Sequence, residues 1–315
     1  MGTMRTSTRA LMGIVAVLAT TGAATLTAGP ATADVSPRDV VAVGADGSTT
    51  SLPRTSDRSG TMDIPGAFPV LPTAVSDGLY YVHYNTGGTL ERLQLLSVVG
   101  GALELTELRY LLVMVGDTPS RTAIHTALGG HGWGSMRLLT DAAQTTGGTV
   151  AQSTYSWSGR FYGIGTDGVL RRYTRSADGR TVRSAGAQPG FTGVRTMALY
   201  STGPRADVLL VTTTNGALSA VTVPTTGPGL SATSTRLRTR GWGAFEALHS
   251  VPAASRTAAR VVGVDADTHT AHEYGVGALR GTSTTVTTVG PWTEPATDPF
   301  HITFPRLLEA TPPGG

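Results

Sequence analysis

Three stretches of this chain repeat one short pattern: residues 132–139 (GWGSMRLL), 190–200 (GFTGVRTMALY) and 241–250 (GWGAFEALHS). Each copy begins with Gly and an aromatic residue, and it continues through one or two small residues into an apolar run. We call this pattern the Gly-aromatic motif. Its copies start about 50 residues apart, and self-similarity at such a period is typical of repeat proteins.

A second pattern lies between the copies of the first. It consists of an apolar run, a dipeptide that favours a tight turn, and a second run with strand character. Asp-Gly, Asn-Gly and Gly-Gly are the dipeptides that two-residue β-hairpins prefer. We therefore predict five hairpins. Their turns are at Asp46-Gly47, Gly87-Gly88, Asp167-Gly168, Asn215-Gly216 and Asp267-Thr268.

The two patterns alternate along the chain. A variant of the motif, Gly66-Ala67-Phe68, precedes the second hairpin, and no motif precedes the first. At the other end, Gly290-Pro291-Trp292 has no hairpin after it. The two incomplete repeats complement each other, which predicts an all-β, five-bladed β-propeller closed by N- and C-terminal strands.

Two long intervals leave the blade count open. We assign them to insertions around residues 96–126 and 141–158. The alternative is a sixth, degenerate blade within residues 96–126.

The N-terminal residues have the pattern of a secretory signal peptide. Arg5 and Arg9, an apolar run and a small-residue site at Ala31-Thr32-Ala33 predict a secretory signal peptide over residues 1–33. A single propeller domain over residues 34–315 follows, in a secreted monomer without a membrane span. The alternative is an uncleaved anchor.

The composition also excludes some partners. The chain has no Cys, so it cannot form a thiolate metal site. Its formal net charge of +3 argues against nucleic acid as a partner.

The repeats resemble those of the tachylectin-type lectins, from about residue 40 to residue 308. That resemblance implies a five-bladed propeller that binds N-acetylated amino sugars. Members of the family carry a polar cluster with Asn, Asp, Trp and Arg just before the motif. Here the corresponding segments, residues 174–189, 225–240 and 277–289, lack the Asn and Trp and keep mainly arginines. The resemblance therefore carries over the scaffold better than the sugar site.

Two sets of residues are candidate ligand contacts. As ligand contacts, the aromatic rings of the motif would form amphipathic platforms for a sugar face; the alternative is that they pack between blades. Arginines near the motif would donate hydrogen bonds to sugar hydroxyls; the alternative is that they lie on a solvated strand edge. The candidates are Trp133, Phe191, Trp242, Trp292, Arg183, Arg238, Arg240 and Arg280.

Metal and catalytic motifs are weak in this sequence. Asp265, Asp267 and His269 alternate as ligands on one strand face would, but Asp267 falls at a predicted turn, so we expect no metal and no cofactor. A Gly-x-Ser-x-Gly nucleophile motif is missing, and we expect no catalytic residue.

The sequence thus predicts a noncatalytic, carbohydrate-binding module whose partners are extracellular glycans. One alternative is a secreted propeller glycoside hydrolase, whose carboxylates would converge in one pocket. Asp77, Asp141, Asp207, Glu246 and Asp265 are the carboxylates to test. The other alternative is a protein-interaction propeller, which would expose an apolar patch.

Overall fold

The computed structural model describes most of the chain between residues 39 and 308. The described residues are 39–44, 49–53, 63–64, 66–70, 72–75, 79–85, 88–113, 120–143, 159–176, 180–227, 229–252, 258–268, 270–291, 299–303 and 306–308. All of them belong to one compact unit, Ala33–Gly315. Within these ranges, no helix has the length and apolar character needed to cross a membrane.

The described strands pair into five sheets, which we number as blades 1 to 5 along the chain. Blade 1 contains β1 (Asp39–Gly44), β2 (Thr49–Pro53) and β3 (Asp63–Ile64). Blade 2 contains β4 (Ala74–Val75), β5 (Leu79–Asn85), β6 (Gly88–Val99), β7 (Ala102–Val113) and β8 (Ser120–Ala127).

Blades 3, 4 and 5 are regular antiparallel meanders of four strands. A 3₁₀ turn at Trp133–Ser135 leads into blade 3, which contains β9 (Met136–Ala143), β10 (Gly159–Gly165), β11 (Leu170–Arg175) and β12 (Val182–Gln188). Blade 4 contains β13 (Val194–Ser201), β14 (Ala206–Thr213), β15 (Leu218–Pro224) and β16 (Thr233–Arg238). Blade 5 contains β17 (Ala247–Pro252), β18 (Ala259–Asp265), β19 (Thr270–Val276) and β20 (Val286–Pro291).

The sheets are arranged as a β-propeller, as predicted. The first strands of successive blades, β9, β13 and β17, lie next to one another and form the inner side of the ring. The fourth strands, β12, β16 and β20, lie at the far edge of each sheet. Radial repetition of this kind leaves only short sheet edges exposed.

The ring is closed by both ends of the chain. The chain continues after blade 5 into β21 (Pro299–Thr303), which pairs antiparallel with β1 and becomes the first strand of blade 1. The order β21-β1-β2-β3 confirms the predicted closure by N- and C-terminal strands. A last strand, β22 (Arg306–Leu308), pairs parallel with β5.

Blade 2 differs from the prediction. The hairpin around Gly88 exists as β5 and β6, but the turn that corresponds to those of the other blades is Gly100-Gly101, between β6 and β7. A Cβ on Gly134 in the next motif would lie 3.5 Å from Cα of Gly101, and a Cβ on Gly243 would lie 3.1 Å from Cα of Gly216. The assignment of residues 96–126 to an insertion was therefore wrong.

The alternative of a sixth blade in this segment is also not supported. β7 pairs with β6 and β8 pairs with β7, so the described residues of the segment join the sheet that already contains β4. β5 and β22 are the additions to blade 2. The second predicted insertion, around residues 141–158, lies mostly outside the described residues.

Apolar side chains of neighbouring blades form separate cores at the junctions of blades 2 and 3, 3 and 4, and 4 and 5. The cluster between blades 3 and 4 includes Tyr162, Leu199 and Leu209, and all three are fully buried. The clusters on either side contain Trp133 and Trp242, one motif aromatic each. Blades 3 and 4 are thus held by apolar burial against both neighbours, and such burial is the dominant favourable contribution to folding.

Candidate functional site

The aromatic rings of the motif lie in the cores between blades. Trp133 is 4% exposed, and its indole Nε1 donates a hydrogen bond to the backbone oxygen of Gly129 at 3.0 Å. Its ring centroid lies 4.6 Å from that of Tyr173 and 6.2 Å from that of Phe161. Both the polar and the apolar parts of the indole are therefore occupied by the protein.

Trp242 and Phe191 have the same environment. Trp242 packs on Phe245 and Tyr274, with ring centroids 5.5 and 4.6 Å away. Phe191 is buried in the core between blades 3 and 4. Burial favours packing as the role of these rings, and their predicted ligand contact stays a prediction. Trp292 lies outside the described residues.

The motif also fixes the backbone between blades. Its first Gly has a positive φ, +103° at Gly190 and +95° at Gly241, which L side chains rarely adopt. The next residue donates its N–H to the turn glycine of the preceding hairpin: Phe191 to Gly168 at 2.8 Å, and Trp242 to Gly216 at 3.0 Å. The motif therefore joins each hairpin turn to the blade that follows it.

Arg238, a predicted ligand contact, holds the next blade. It is the last residue of β16, and its Nη2 donates to the backbone oxygen of Thr284 at 2.8 Å. Gln188 ends β12 in the same way, and its Nε2 donates to the backbone oxygen of Ala232 at 3.0 Å. In both cases, the last side chain of a blade's fourth strand donates to the backbone of the loop between the third and fourth strands of the next blade.

These contacts define two equivalent surfaces at the junctions between blades. The 4–5 seam consists of Thr235 and Arg236 on β16, together with Arg280, Gly281 and Thr282 from the connection between β19 and β20. Gly281 has a φ of +57° and would place a Cβ 3.6 Å from Cγ2 of Thr235. Both arginines and both threonines are exposed, so their donors face solvent.

The 3–4 seam is built in the same way. It consists of Arg183 and Ser184 on β12, together with Gly229 and Ser231 from the connection between β15 and β16. Buried Arg172 joins its two sides, because its Nη2 donates to the backbone oxygens of Ala185 and Gly229, both at 2.9 Å. This seam exposes one Arg and two hydroxyl side chains, whereas the 4–5 seam exposes two Arg and two hydroxyl side chains.

The predicted arginines are thus distributed rather than gathered into one pocket. Arg280 belongs to the 4–5 seam and Arg183 to the 3–4 seam, while Arg238 supports the 4–5 seam from below. Arg240 is exposed in the turn directly before the third motif. The predicted arginines lie near the junctions of blades 3, 4 and 5, and Arg183 and Arg280 come from different elements, β12 and the connection between β19 and β20.

The carboxylates considered for catalysis have mainly structural partners. Asp207 is fully buried between blades 3 and 4, where it accepts from Nε and Nη2 of Arg160 at 2.7 and 2.9 Å and from the Tyr162 hydroxyl at 2.7 Å. Burial, with Asp207 nearby, raises the pKa of Tyr162, which keeps the phenol protonated. Asp141 is buried near Arg175, and Asp77 lies outside the described residues.

One group of three carboxylates does converge. Oxygens of Glu246, Asp265 and Asp267 all lie within 4.8 Å of one another at the turn between β18 and β19. Glu246 forms an ion pair with Arg195 of blade 4 and accepts from the backbone N–H of Ala266 at 2.8 Å. Through these two contacts, Glu246 links blade 4 to the turn between β18 and β19 of blade 5. His269, the third member of the predicted set, lies outside the described residues.

The sequence contained one further signal that was not used in the prediction. A charged residue stands five positions after the motif glycine in all three copies, as Arg137, Arg195 and Glu246. Aromatic and glycine positions dominate the pattern, so this position does not stand out in a single repeat. Its regularity appears only when the three copies are aligned.

Comparisons with known proteins assign no family to this chain. No protein-family model matches the sequence, and no curated protein matches it. The resemblance to tachylectin-type lectins therefore stays a prediction.

Several solved structures are similar at low identity. AofleA from Arthrobotrys oligospora is 11% identical with a TM-score of 0.43, covering 87% of this chain and 71% of that one. The six-bladed fucose lectin of Aleuria aurantia is 12% identical with a TM-score of 0.44, covering 82% and 75%. A Trypanosoma rangeli sialidase is 10% identical with a TM-score of 0.41, covering 78% and 42%. Likeness at this level does not assign an activity to this chain.

Proposed function

We propose that this protein is a secreted, noncatalytic carbohydrate-binding module that contacts glycans at the seams between its blades. The observation that carries the proposal is the repetition of one polar surface at two consecutive junctions. Each seam presents at least one guanidinium and two hydroxyl groups to solvent, and each is held together by a buried or half-buried arginine, Arg172 or Arg238. Sugars are recognised by such donors and acceptors on a preformed surface.

The seams differ from a deep pocket in what they offer. Their exposed groups come from two adjacent chain segments that are joined by side-chain-to-backbone hydrogen bonds, so the positions of the two segments are fixed before a ligand binds. A shallow surface of this kind supplies few contacts, and a single site would bind weakly. Repetition around the ring raises the avidity for a polymeric glycan without any new contact.

The ligand class rests on sequence. Resemblance to the tachylectin-type repeats makes N-acetylated amino sugars the first class to test, with the arginines as donors to the acetamido oxygen. Secretion rests on the pattern of residues 5–33, which is typical of a signal peptide.

A glycan array tests the proposal. We expect residues 34–315 to bind glycans, with N-acetylated amino-sugar polymers among them. The double variant Arg236→Ala/Arg280→Ala should bind at least tenfold more weakly, since each charged donor contributes about 1.5–3 kcal/mol. Arg121→Ala, which changes an exposed arginine on β8 away from both seams, is the matched control and should bind like the wild type.

Two outcomes would contradict the proposal. If the unchanged protein binds no glycan at high concentration, the carbohydrate-binding function is wrong. If it binds but the double variant and the control bind equally well, the 4–5 seam is not the site.

The hydrolase alternative has one observation in its favour, the convergence of Glu246, Asp265 and Asp267. A general acid needs a carboxyl group held protonated by burial or by a neighbouring charge. Asp267 is exposed, and Glu246 is already bound to Arg195 and Ala266. Hydrolysis of any array glycan by the unchanged protein, lost in Glu246→Gln, would establish the alternative.

The protein-interaction alternative lacks a specific observation. Among the side chains that the structure describes, the exposed large hydrophobic residues are Val70 and Val289, which are 58% and 56% exposed. Single exposed apolar residues are ordinary on protein surfaces, whereas a docking face needs a contiguous patch.

A further inference from the structure

The first strand of blade 3 begins with a β-bulge that contains an arginine. Met136 pairs with Gly165 and Leu138 pairs with Ile164, so Arg137 has no partner on β10. A bulge turns the extra side chain away from the regular alternation of the strand. Such irregularities are frequent near binding sites, where they aim one side chain.

Blade 4 repeats the same device. Val194 pairs with Thr213 and Thr196 pairs with Thr212, which leaves Arg195 as the extra residue of the bulge. Arg137 and Arg195 both stand five positions after the motif glycine. Their backbones are thus equivalent, one blade apart, on neighbouring inner strands.

The two arginines differ in their partners. Arg195 forms an ion pair with Glu246, which holds the equivalent position in blade 5. For Arg137, the residue at the equivalent position in the next blade is Arg195 itself, which cannot neutralise it. The repeat therefore supplies a counter-charge to the second arginine and not to the first.

Arg137 shows the consequence of that difference. Its Nη2 is shielded from solvent and has no hydrogen-bond partner among the residues that the structure describes. Burial lowers the pKa of its guanidinium. The residue as a whole has intermediate exposure, so Nη2 is covered while other atoms of Arg137 still contact solvent. A guanidinium in this setting is stabilised by an anion that accepts its hydrogen bonds.

We propose that Arg137 binds the carboxylate of an acidic sugar at the entrance of the inner strands, with a hexuronate as the ligand class. The planar guanidinium matches a carboxylate through two parallel hydrogen bonds. A single negative charge suits the site, because the neighbouring Arg195 is already neutralised by Glu246. This inference rests on the proposed function for the sugar part of the ligand, and on Arg137 alone for the carboxylate.

Titration calorimetry with D-glucuronate, D-glucose and acetate tests the proposal on residues 34–315. We expect glucuronate to bind, glucose at the same concentration not to compete with it, and acetate to compete only weakly. Arg137→Gln should lower the affinity for glucuronate at least tenfold, and Arg121→Gln should leave it unchanged. Equal affinity of Arg137→Gln and the unchanged protein, or no binding of glucuronate at all, would overturn the proposal. If acetate binds as tightly as glucuronate, Arg137 is supported as a carboxylate site, but the proposal that the ligand is a sugar is overturned.

Thermal melting separates a ligand site from a structural role. Without ligand, Arg137→Gln should melt at the same temperature as the unchanged protein or higher, since it removes an unpaired buried group. Arg195→Gln should melt lower, because it leaves Glu246 without its ion pair. A lower melting temperature for Arg137→Gln would show that Arg137 has a structural partner and would overturn the assignment.

The outcome is also separable from that of the proposed function. Neutral glycans are tested by the Arg236→Ala/Arg280→Ala variant, and glucuronate is tested by Arg137→Gln. If glucuronate binds through Arg137 but no neutral glycan binds on the array, only the proposal for the seams is contradicted. If neutral glycans bind at the seams but glucuronate does not bind, only the proposal for Arg137 is contradicted.

Discussion

At the scale of single residues, the aromatic rings of the motif contribute to packing between blades. Trp242 is 5% exposed and contacts Phe245 and Tyr274, so its removal leaves a cavity in the core between blades 4 and 5. A partly relaxed cavity adds to the lost transfer free energy of the ring. The recurrence of these rings along the chain reflects a similar space to fill at the junctions that contain them.

We expect Trp242→Ala to lower the free energy of unfolding by about 3–5 kcal/mol. Urea denaturation followed by circular dichroism measures the change. Val289→Ala, an exposed apolar residue on β20, is the control and should change stability by about 0.5 kcal/mol or less. Equal stability of the two variants would mean that Trp242 does not pack between blades.

Ionisation at a turn gives a second residue-scale prediction. Hydrogen bonds from Arg171, including one from Nη1 to Oδ1 at 3.0 Å, lower the pKa of Asp167 to about 2. Because the folded pKa lies below the unfolded one, the ion pair stabilises the fold above about pH 4 and is lost as pH falls toward 2. Arg171→Gln should return the pKa of Asp167 toward 3.8, as followed by carboxyl chemical shifts. An unchanged titration midpoint would show that Arg171 is not the cause.

At the scale of elements, the hairpin turns of blades 2, 3 and 4 pack against the third residue of the next motif. A Cβ at Gly168, whose φ is +66°, would lie 2.5 Å from Cα of Thr192. Gly101 and Gly134 make the equivalent close approach at the junction of blades 2 and 3. The turn glycine is therefore needed both for its backbone conformation and for the space it leaves.

We expect Gly168→Ala to destabilise the protein, because it combines a strained φ with a backbone clash. The loss should be larger than for Gly227→Ala, which also has a positive φ, +97°, but no atom within 4 Å of the added Cβ. Melting temperatures of the two variants compare the clash with strain alone. Equal losses would remove the role assigned to the contact with Thr192.

The elements also show where prediction from the sequence ended. Turn dipeptides and the period of the motif were enough to predict the hairpins of blades 3, 4 and 5. In blade 2, two glycine pairs compete, Gly87-Gly88 and Gly100-Gly101. The choice between them depends on the contact of Gly101 with Gly134, a tertiary approach that no local pattern reports.

The candidate site was predictable only in part, for a similar physical reason. Arginines near the motif were identified from their position, and Arg183 and Arg280 do lie on the seams. The partners of Arg238 are backbone oxygens of the next blade, 44 and 46 residues away, and a backbone acceptor leaves no residue-type signal. For the same reason, Gln188 and its bond to Ala232 could not be found from the sequence.

At the scale of the whole molecule, the ring is closed because both ends of the chain share blade 1. β21 provides that link by pairing with β1, with Ala42 opposite Ile302 and Val43 opposite His301. The absence of Cys from the sequence makes this pairing accessible to a clean chemical test.

The most direct test is disulfide formation between engineered cysteine pairs across β1 and β21. We prepare Ala42→Cys/Ile302→Cys and Val43→Cys/His301→Cys, so that both kinds of antiparallel pair are sampled. Under mild oxidation, at least one pair should form an intramolecular disulfide quickly, since directly opposite residues lie within its reach. Val41→Cys/His301→Cys, two positions out of register, should form it more slowly. Equal rates for all three pairs, or only intermolecular disulfides, would contradict a ring closed by its two chain ends.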